Sequence, residues 1–235
     1  MITVSPAPWE TEFSRRNVTL YPFDSLLGFG LLSTGASRSV AAPKCILSTG
    51  VGSNKIAETV EDVNVSYATD DGKDMWQYPM NVSVIAGLTL PTNPVSSESG
   101  GGLEIGSLNV ATDPASPAYG IIRLFYDGLN NCWKIRTAKG DGTPYTDTML
   151  NMVDVPTGSG VGLRIRLIYV PGQYVTGIVN GVIGGTVTNP ALFPDANSPL
   201  FNRRGVGVFV RTSNNGTDYS SGVFSLLNVE RIGKK

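Results

Sequence analysis

Residues 162–188, GLRIRLIYVPGQYVTGIVNGVIGGTVT, decide the fold of this chain. At the start of the stretch one set of alternate residues is apolar, and the other set holds Arg164 and Arg166. Successive side chains of a strand point to opposite faces, so this period of two predicts a strand with one buried face. Two turn signals, Pro171-Gly172 and Asn180-Gly181, divide the rest. Asn-Gly favours a two-residue hairpin turn, because both central residues of that turn need a positive φ and Asn and Gly adopt it readily. The stretch therefore predicts three consecutive antiparallel strands.

The same pattern of runs and turns extends along the chain, which contains 28 glycines and 15 prolines. Alternate residues of 81–90 are apolar, and these are Val82, Val84, Ala86, Leu88 and Leu90. Alternation also marks 62–68. Counting the runs between turns predicts about a dozen strands, a number that suits two stacked antiparallel sheets. Only 53–62 favours a helix, of one or two turns, with Ser53 as its cap.

The composition excludes several classes of site. The chain has 18 basic and 19 acidic residues, a net charge of −1, two cysteines and no histidine. Mechanisms that need an imidazole are therefore closed to the chain acting alone, and so are zinc sites built from histidine or from four cysteines. The slightly negative charge gives no general attraction to phosphate backbones, so we expect no nucleic-acid partner. We predict neither a metal ion nor a cofactor.

The sequence also indicates where the protein is made. Its longest apolar stretch, 82–90, is too short to cross a bilayer, so we expect no membrane partner. The first residues lack the basic and apolar regions of a secretory signal, which predicts a chain that folds in the cytoplasm. In that reducing compartment we expect Cys45 and Cys132 to remain unpaired thiols, although they could pair if the fold brought them together.

The first residues of the chain differ from the rest in composition and in their pattern of apolar residues. Residues 1–20 alternate poorly and contain prolines and aromatic residues. We predict that they form an extended N-terminal arm and that 21–235 form a single β-sandwich domain. Aromatic residues and arginine are enriched at protein interfaces, and an arm cannot bury them by itself. The candidate partner-binding residues are therefore Trp9, Phe13, Arg15 and Arg16.

The order of strands and turns in the C-terminal half resembles that of a known family. The hairpins of 162–188 are followed by a run at 205–211 and a closing run at 224–232. This order is similar to that of concanavalin A-like, laminin-G-like jelly rolls. The resemblance implies an all-β, two-sheet antiparallel jelly-roll sandwich whose first strand, near Tyr21, pairs with its last. It also implies sugar binding or protein adhesion, as in many relatives, or hydrolysis, as in a few.

The catalytic and metal-binding residues of that family do not carry over to this chain. Glycosidases of the fold carry a Glu-x-Asp-x-x-Glu strand, whereas the nearest acids here have a different spacing; they are Glu58, Glu61 and Asp62. No residue is assigned a catalytic role, and we predict a protein that is not an enzyme. The aspartates of 70–74 could collect Ca²⁺, but they match no complete calcium loop, so a solvated turn is preferred.

Two functional hypotheses follow. The signal-less start, the Gly/Ser/Thr-rich strands, the aromatic arm and the lack of histidine together resemble a bacteriophage virion protein. The leading hypothesis is a non-enzymatic structural protein of a phage particle, either a capsid cement or decoration protein or a head or tail appendage component. It would be located in the virion, form a homo-oligomer and contact virion proteins such as the major capsid protein.

The alternative hypothesis is a carbohydrate-binding receptor-recognition module of a phage tail, whose partner is a cell-surface glycan. Its candidate glycan contacts are Trp76, Tyr78 and Tyr145, since aromatic rings offer flat apolar faces. Trp76 and Tyr78 share one strand face by their spacing, and for both of them a place in the core is preferred.

Overall fold

Two antiparallel β-sheets make up the described part of the chain. The computed structural model describes residues 13–21, 34–52, 55–62, 76, 79–89, 99–107, 120–151, 162–194, 204–212 and 220–234. Their strands are β1 (Phe13–Tyr21), β2 (Ser37–Ala41), β3 (Lys44–Ser48), β4 (Lys55–Asp62), β5 (Met80–Thr89), β6 (Gly100–Ser107), β7 (Ile121–Asp127), β8 (Cys132–Ala138), β9 (Thr146–Met149), β10 (Leu163–Val170), β11 (Tyr174–Val179), β12 (Val182–Val187), β13 (Arg204–Thr212) and β14 (Ser221–Lys234). A 3₁₀ turn, Pro190–Leu192, follows β12. None of these residues forms a helix long and apolar enough to cross a membrane.

The strands are divided between an eight-stranded sheet, called sheet A, and a six-stranded sheet, called sheet B. The order in sheet A is β12-β11-β10-β5-β14-β3-β2, and β1 also pairs with β14. The order in sheet B is β4-β13-β6-β7-β8-β9. Strands of both sheets contribute side chains to one hydrophobic core. The predicted all-β class with two antiparallel sheets is therefore confirmed.

The central strands of sheet A have the faces that their alternation predicts. In β5 the residues that face the core are Met80, Val82, Val84, Ala86 and Leu88. In β10 the alternate apolar residues are buried, whereas Arg164 and Arg166 are exposed. Tyr169 ends this buried row, and its hydroxyl donates a hydrogen bond to the carbonyl oxygen of Trp76 at 2.9 Å. One face of each strand thus packs against sheet B, and the other faces away from it.

The two turns of the deciding stretch also form as predicted. Asn180 and Gly181 have φ values of 51° and 82°, the pair of positive angles that the two-residue hairpin turn requires. Gly172 has a φ of 65°, and the amide of Gln173 donates to the carbonyl oxygen of Val170 at 3.1 Å across the turn. Local turn chemistry therefore fixes the register of β10 with β11 and the start of the pairing of β11 with β12, which shifts at a bulge between Gly177 and Ile178.

The last strand, β14, has two different partners along one side. It pairs with β3 over 221–225 and with β1 over 227–234, and it pairs with β5 on its other side. A bulge lies at the change of partner, where Leu226 has a φ of 54° and is 46% exposed. The pairing of the first strand with the last, which the family resemblance implies, is confirmed.

One predicted element is wrong. The segment 53–62 was expected to contain a short helix, but Lys55–Asp62 form β4 at an edge of sheet B and pair with β13. Ala57 faces the core, whereas its neighbours Ile56 and Glu58 are buried on the other face. Backbone pairing with β13 and burial on two faces outweigh the weak helical signal of so short a segment. Of the strand predicted at 62–68, only Asp62 lies in the described residues.

The predicted arm is described in part. Residues 13–20 belong to β1 and pair with β14 of the same chain, while 1–12 lie outside the described residues. The division of the chain into an arm at 1–20 and a domain at 21–235 stays a prediction. The pairing shows that residues 13–20 can extend a sheet through backbone hydrogen bonds.

Both cysteines are unpaired, as expected. Cys45 lies in β3 with no exposed surface, and Cys132 begins β8 in the other sheet. Burial raises the pKa of Cys45 to about 11, against a smaller opposing effect of the Arg38 charge. Burial also raises the pKa of Cys132, and the charges of Asp127 and Asp147 act in the same direction against that of Lys134. Both groups are therefore neutral thiols at pH 7.

Candidate functional site

Sheet B carries charged and aromatic side chains on the face that points away from sheet A. Core residues such as Leu124 and Ile135 occupy one face of β7 and β8. The alternate residues form what we call the outer face of sheet B, and they include Glu104, Arg123, Phe125, Lys134, Arg136, Asp147 and Phe209. All of these except Asp147 are buried. Sheet B is therefore packed on both faces.

A row of four charged residues crosses this outer face. The strand register places Glu104 opposite Arg123, Arg123 opposite Arg136, and Arg136 opposite Asp147. We call these four residues the charged row. Two arginines directly opposite each other repel, but each has an acid on its other side. The row as a whole is neutral, which is the condition under which buried charges are tolerated.

The first half of the row is the pair Glu104 and Arg123. The Nε of Arg123 donates a hydrogen bond to Oε2 of Glu104, and both side chains are at most 5% exposed. The guanidinium carbon of Arg123 also lies 5.0 Å from the centre of the Phe209 ring. A cation over an aromatic face gains electrostatic attraction, and more so away from water. Arg123 is thus held by a carboxylate and a ring together.

A glycine lies between the two phenylalanines beside the row, where the backbone of β7 approaches it closely. Gly102 in β6 lies opposite Phe125 on one side and opposite Phe209 on the other. The two rings meet over it with their centres 6.2 Å apart and a tilt of 54°. A Cβ atom at Gly102 would collide with the backbone oxygen of Leu124. The glycine is therefore needed because other atoms approach it closely, as is usual for glycine inside a strand.

The second half of the row is Arg136 with Asp147, and it reaches the rim of the sheet. Arg136 donates from Nε to Oδ1 of Asp147 at 2.7 Å and from Nη2 to Oδ2 at 2.8 Å. Its guanidinium carbon lies 5.4 Å from the centre of the Phe125 ring and 3.6 Å from that of the Tyr145 ring. This bidentate pair has the geometry in which arginine and carboxylate bind most strongly. Tyr145, which is half-buried, is consequently held from one side by a fixed cation.

A lysine links the same rim to the turn before β8. The Nζ of Lys134 lies 2.6 Å from Oδ2 of Asp127 and 3.9 Å from Oδ2 of Asp147. Burial alone would lower the pKa of Lys134, but the hydrogen bond and charge of Asp127 and the charge of Asp147 outweigh it, so its pKa is raised. Asp127 also accepts a hydrogen bond from the amide of Leu129 at 3.0 Å. Lys134 therefore stays charged and anchors both acids.

The structure separates the predicted glycan contacts. Tyr145 lies at the rim of sheet B, whereas Trp76 is 4% exposed and packs edge-on against Tyr169 in the core at 5.7 Å between ring centres. Trp76 thus has the place in the core that its spacing favoured, and it does not present a ring face to solvent as a glycan contact would. Tyr78 lies outside the described residues. The aspartates of 70–74 lie outside them too, and within them no three His, Cys, Asp or Glu side chains are placed to hold a metal ion.

The predicted partner-binding residues lie elsewhere. Phe13, Arg15 and Arg16 belong to β1 in sheet A, and Trp9 lies outside the described residues. The charged row was missed at the sequence level. A signal for one of its members was present, because Arg136 and the neighbouring Lys134 alternate with the core residues Trp133 and Ile135. Their acidic partners could not be identified in the same way, since register alone brings them together.

Comparison with known proteins shows similarity in structure. No protein-family model matches the chain, and no curated protein sequence matches it. The lectin I-B4 from Griffonia simplicifolia, in its metal-free form, has a TM-score of 0.57 at 9% identity over 92% of this chain and 99% of the lectin. Arcelin-5, a lectin-like defense protein from Phaseolus vulgaris, has a TM-score of 0.55 at 10% identity over 93% of this chain and 99% of arcelin. The lectin UEA-II, complexed with galactose, has a TM-score of 0.53 at 9% identity over 93% and 99% of the two chains. Such low identities show the fold alone, and that fold is the two-sheet β-sandwich of lectin-like proteins.

Proposed function

We propose that the protein is a non-enzymatic carbohydrate-binding module whose sugar contact is centred on Tyr145. The observation that carries this proposal is the half-buried tyrosine ring that Arg136 holds at 3.6 Å at the rim of sheet B. An aromatic ring with an apolar body and a polar hydroxyl suits a ligand that is apolar on one face and hydroxylated at its edge. Sugar rings have this character. The lectin-like fold supports the same class of ligand.

The rigidity of the rim favours binding. Arg136 is fixed by both oxygens of Asp147 and by the Phe125 ring, so Tyr145 rests on a support that does not need to be ordered when a ligand arrives. Ordering side chains at an interface opposes binding, and a preformed contact avoids that loss. Asp147, which keeps 19% of its side chain exposed, lies on the same face beside Arg136 and adds a hydrogen-bonding group. The rim thus combines a ring with polar neighbours.

The ion pairs of three acids on sheet B support a role without catalysis. A glycosidase needs one protonated carboxyl group to donate to the leaving oxygen and a second carboxylate at about 5 Å or about 6.5–9.5 Å. Glu104 is bonded to Arg123, Asp127 to Lys134, and Asp147 to Arg136. These three groups are therefore suited to holding the sheet together.

Replacing Tyr145 by alanine is expected to lower glycan affinity at least about tenfold, a change of about 1.4 kcal/mol in binding free energy. The reason is loss of the ring on which the sugar packs. Tyr145→Phe keeps the ring and is expected to retain most of the affinity. A glycan array that includes galactosides identifies the ligand, and titration calorimetry measures the affinity of each variant.

The matched control for this test is Tyr174→Ala. Tyr174 is also half-buried, but it lies in β11 of sheet A. Its replacement should leave glycan affinity unchanged. An array without hits, or equal affinities for Tyr145→Ala and the unaltered protein, would contradict the proposed function.

A structural role in a phage particle is the second proposal. The observation that favours it is the pairing of β1 with β14, which shows that Phe13–Tyr21 can extend a sheet through backbone hydrogen bonds. The same segment could add to a sheet edge of a neighbouring subunit, in the manner of β-strand addition. Light scattering after size-exclusion chromatography is expected to show a homo-oligomer, and co-sedimentation is expected to show binding to capsid shells. A monomer without affinity for shells would remove this proposal.

A further inference from the structure

Strand β9 places three side chains along one line at the rim of sheet B. Asp147 lies opposite Arg136 and Met149 lies opposite Lys134, so both are on the outer face of the sheet. Tyr145 directly precedes the strand, and the contact of its ring with Arg136 puts it on the same face. Four residue steps along a strand cover about 13 Å. We call Tyr145, Asp147 and Met149 the rim track.

The far end of the rim track is an exposed apolar side chain. Met149 is 62% exposed, whereas Tyr145 at the near end is half-buried. Single exposed apolar residues are common on protein surfaces, so exposure alone does not mark a site. Met149 is different because it is in line with the ring that we propose as the sugar contact. Its flexible, polarizable side chain can adapt to an irregular ligand surface. A ligand that extends from Tyr145 along β9 would cover it.

The backbone of β9 adds hydrogen-bonding groups between the two ends. The amide of Leu150 donates to the carbonyl oxygen of Trp133 at 2.9 Å, and in this register the even-numbered residues of β9 are those that bond to β8. The amide and carbonyl groups of Asp147 and Met149 therefore point away from β8. No described strand pairs with that side of β9. The rim track thus has backbone donors and acceptors along its edge.

This open edge is too short to favour an added peptide strand. Pro144, which has no amide hydrogen, lies just before the rim track. Beyond Met149, the amide of Asn151 donates to the carbonyl oxygen of Gly184 in β12 at 2.8 Å, so the chain has crossed to sheet A. Very short edge strands are one way in which proteins prevent strand addition. Sugar hydroxyls need only isolated donors and acceptors, which the edge supplies.

The charges at the rim favour a ligand without charge. Lys134 and Arg136 balance Asp127 and Asp147, so these four residues are neutral together. The side chains of the two cations are 9% and 2% exposed, and that of Asp127 is fully buried, whereas that of Asp147 is 19% exposed. The most exposed charge of the four is therefore a carboxylate. It repels carboxylate and sulfate groups and accepts hydrogen bonds from hydroxyl groups.

We propose that the rim track binds a neutral, linear oligosaccharide, with one sugar ring on Tyr145 and a further unit on Met149. The inference rests on the proposed sugar contact at Tyr145 and deepens it by assigning the length and the charge of the ligand. The track is longer than one sugar ring, and Asp147 and the outward backbone groups of β9 lie between its ends. Met149 is consequently a residue that determines specificity for chain length.

The test measures affinity against chain length by titration calorimetry on the full chain. The probes are linear neutral series of glucose, galactose and mannose, each with one to four units, together with trigalacturonic acid and a six-residue peptide of alternating threonine and valine. In the series that binds best, the trisaccharide is expected to bind at least about fivefold more tightly than the single sugar. The acidic probe and the peptide should bind more weakly than that trisaccharide.

The variants separate the two ends of the track. Met149→Ala is expected to remove the gain from chain length, while affinity for the single sugar stays within about twofold of that of the native protein. Met149→Leu keeps an apolar side chain and should retain most of the gain. Tyr145→Ala should weaken binding at every length. The matched control is Ile183→Ala, which removes a side chain that is 65% exposed at the edge of sheet A and should change neither affinity. Thermal unfolding verifies that each variant is folded.

Several results would overturn the inference. Binding of the single sugar through Tyr145 with no gain from further units would overturn it and leave the proposed function intact. Equal losses for the single sugar and the trisaccharide in Met149→Ala would show that Met149 is not a separate contact. Tighter binding of the acidic probe would contradict the assigned charge.

Two further outcomes would also count against it. Tight binding of the peptide, lost in Met149→Ala, would assign the rim track to strand addition instead. Native protein that binds none of the neutral series would remove the inference, and a glycan array without hits would remove the proposed function with it.

Discussion

Replacing Arg123 by methionine is expected to lower the free energy of unfolding by about 3 to 5 kcal/mol, the range observed when one partner of a buried ion pair is removed. Glu104 and Arg123 lie opposite each other in β6 and β7, and both are buried. Without the guanidinium, the Glu104 carboxylate loses its cation while it remains out of water. The contact between Arg123 and the Phe209 ring is lost as well. Urea unfolding followed by tryptophan fluorescence measures the change.

Two further variants determine whether the charge pair is the cause. The double variant Glu104→Met with Arg123→Met removes both charges of this pair, so it is expected to recover to within about 1 kcal/mol of the native protein. Arg164→Met removes an exposed arginine of β10 and should change stability by less than about 0.5 kcal/mol. If the double variant instead lost as much stability as the single variants Glu104→Met and Arg123→Met together, packing rather than charge would explain the effect.

The parts of the fold that were predicted correctly are those with local signals. The register of β10 against β11 follows from the turn at Gly172, and that of β11 against β12 starts from Asn180-Gly181 and shifts only at a bulge between Gly177 and Ile178. The alternation in β5 needs only one buried face. Each of these strands belongs to sheet A, which packs against a second sheet on one side. Such strands are half buried, and half-buried strands show their faces directly in the sequence.

Sheet B could not be predicted with the same detail, because its outer face is buried as well. All seven residues of β7 are buried, so no alternation of apolar and polar residues distinguishes core from surface there. The charged row depends on the register between four strands. Glu104 and Arg123 are 19 positions apart, and Arg136 and Asp147 are 11 apart. No spacing rule within one strand identifies such partners, because strand pairing alone brings them together.

One error of interpretation has a clear physical origin. The helix expected at 53–62 is β4, whose conformation is decided by its pairing with β13 rather than by its own preferences. Local propensity describes the chain before long-range pairing, and long-range pairing determines the conformation of this segment.

Replacing Arg136 by methionine is the second change with a large expected effect, and it should affect both stability and sugar binding. Asp147 keeps 19% of its side chain exposed, so water compensates part of the lost ion pair, and we expect a loss of about 2 to 4 kcal/mol in unfolding free energy. The ring of Tyr145 also loses the guanidinium that supports it at 3.6 Å. Glycan affinity should therefore fall about threefold to tenfold, although the tyrosine itself is retained.

Arg136→Lys separates the positioning role from stability alone. Lysine keeps the positive charge but has neither the planar group that stacks on Tyr145 nor the fork that binds both oxygens of Asp147. We expect it to regain part of the stability while glycan affinity stays low, because ring support requires the planar group. Asp147→Asn should lower both quantities by a smaller amount, since it weakens the hold on Arg136 without removing it. Full glycan affinity in Arg136→Met, measured by calorimetry at a temperature where the variant is folded, would show that Tyr145 needs no support and that Arg136 serves only the sheet.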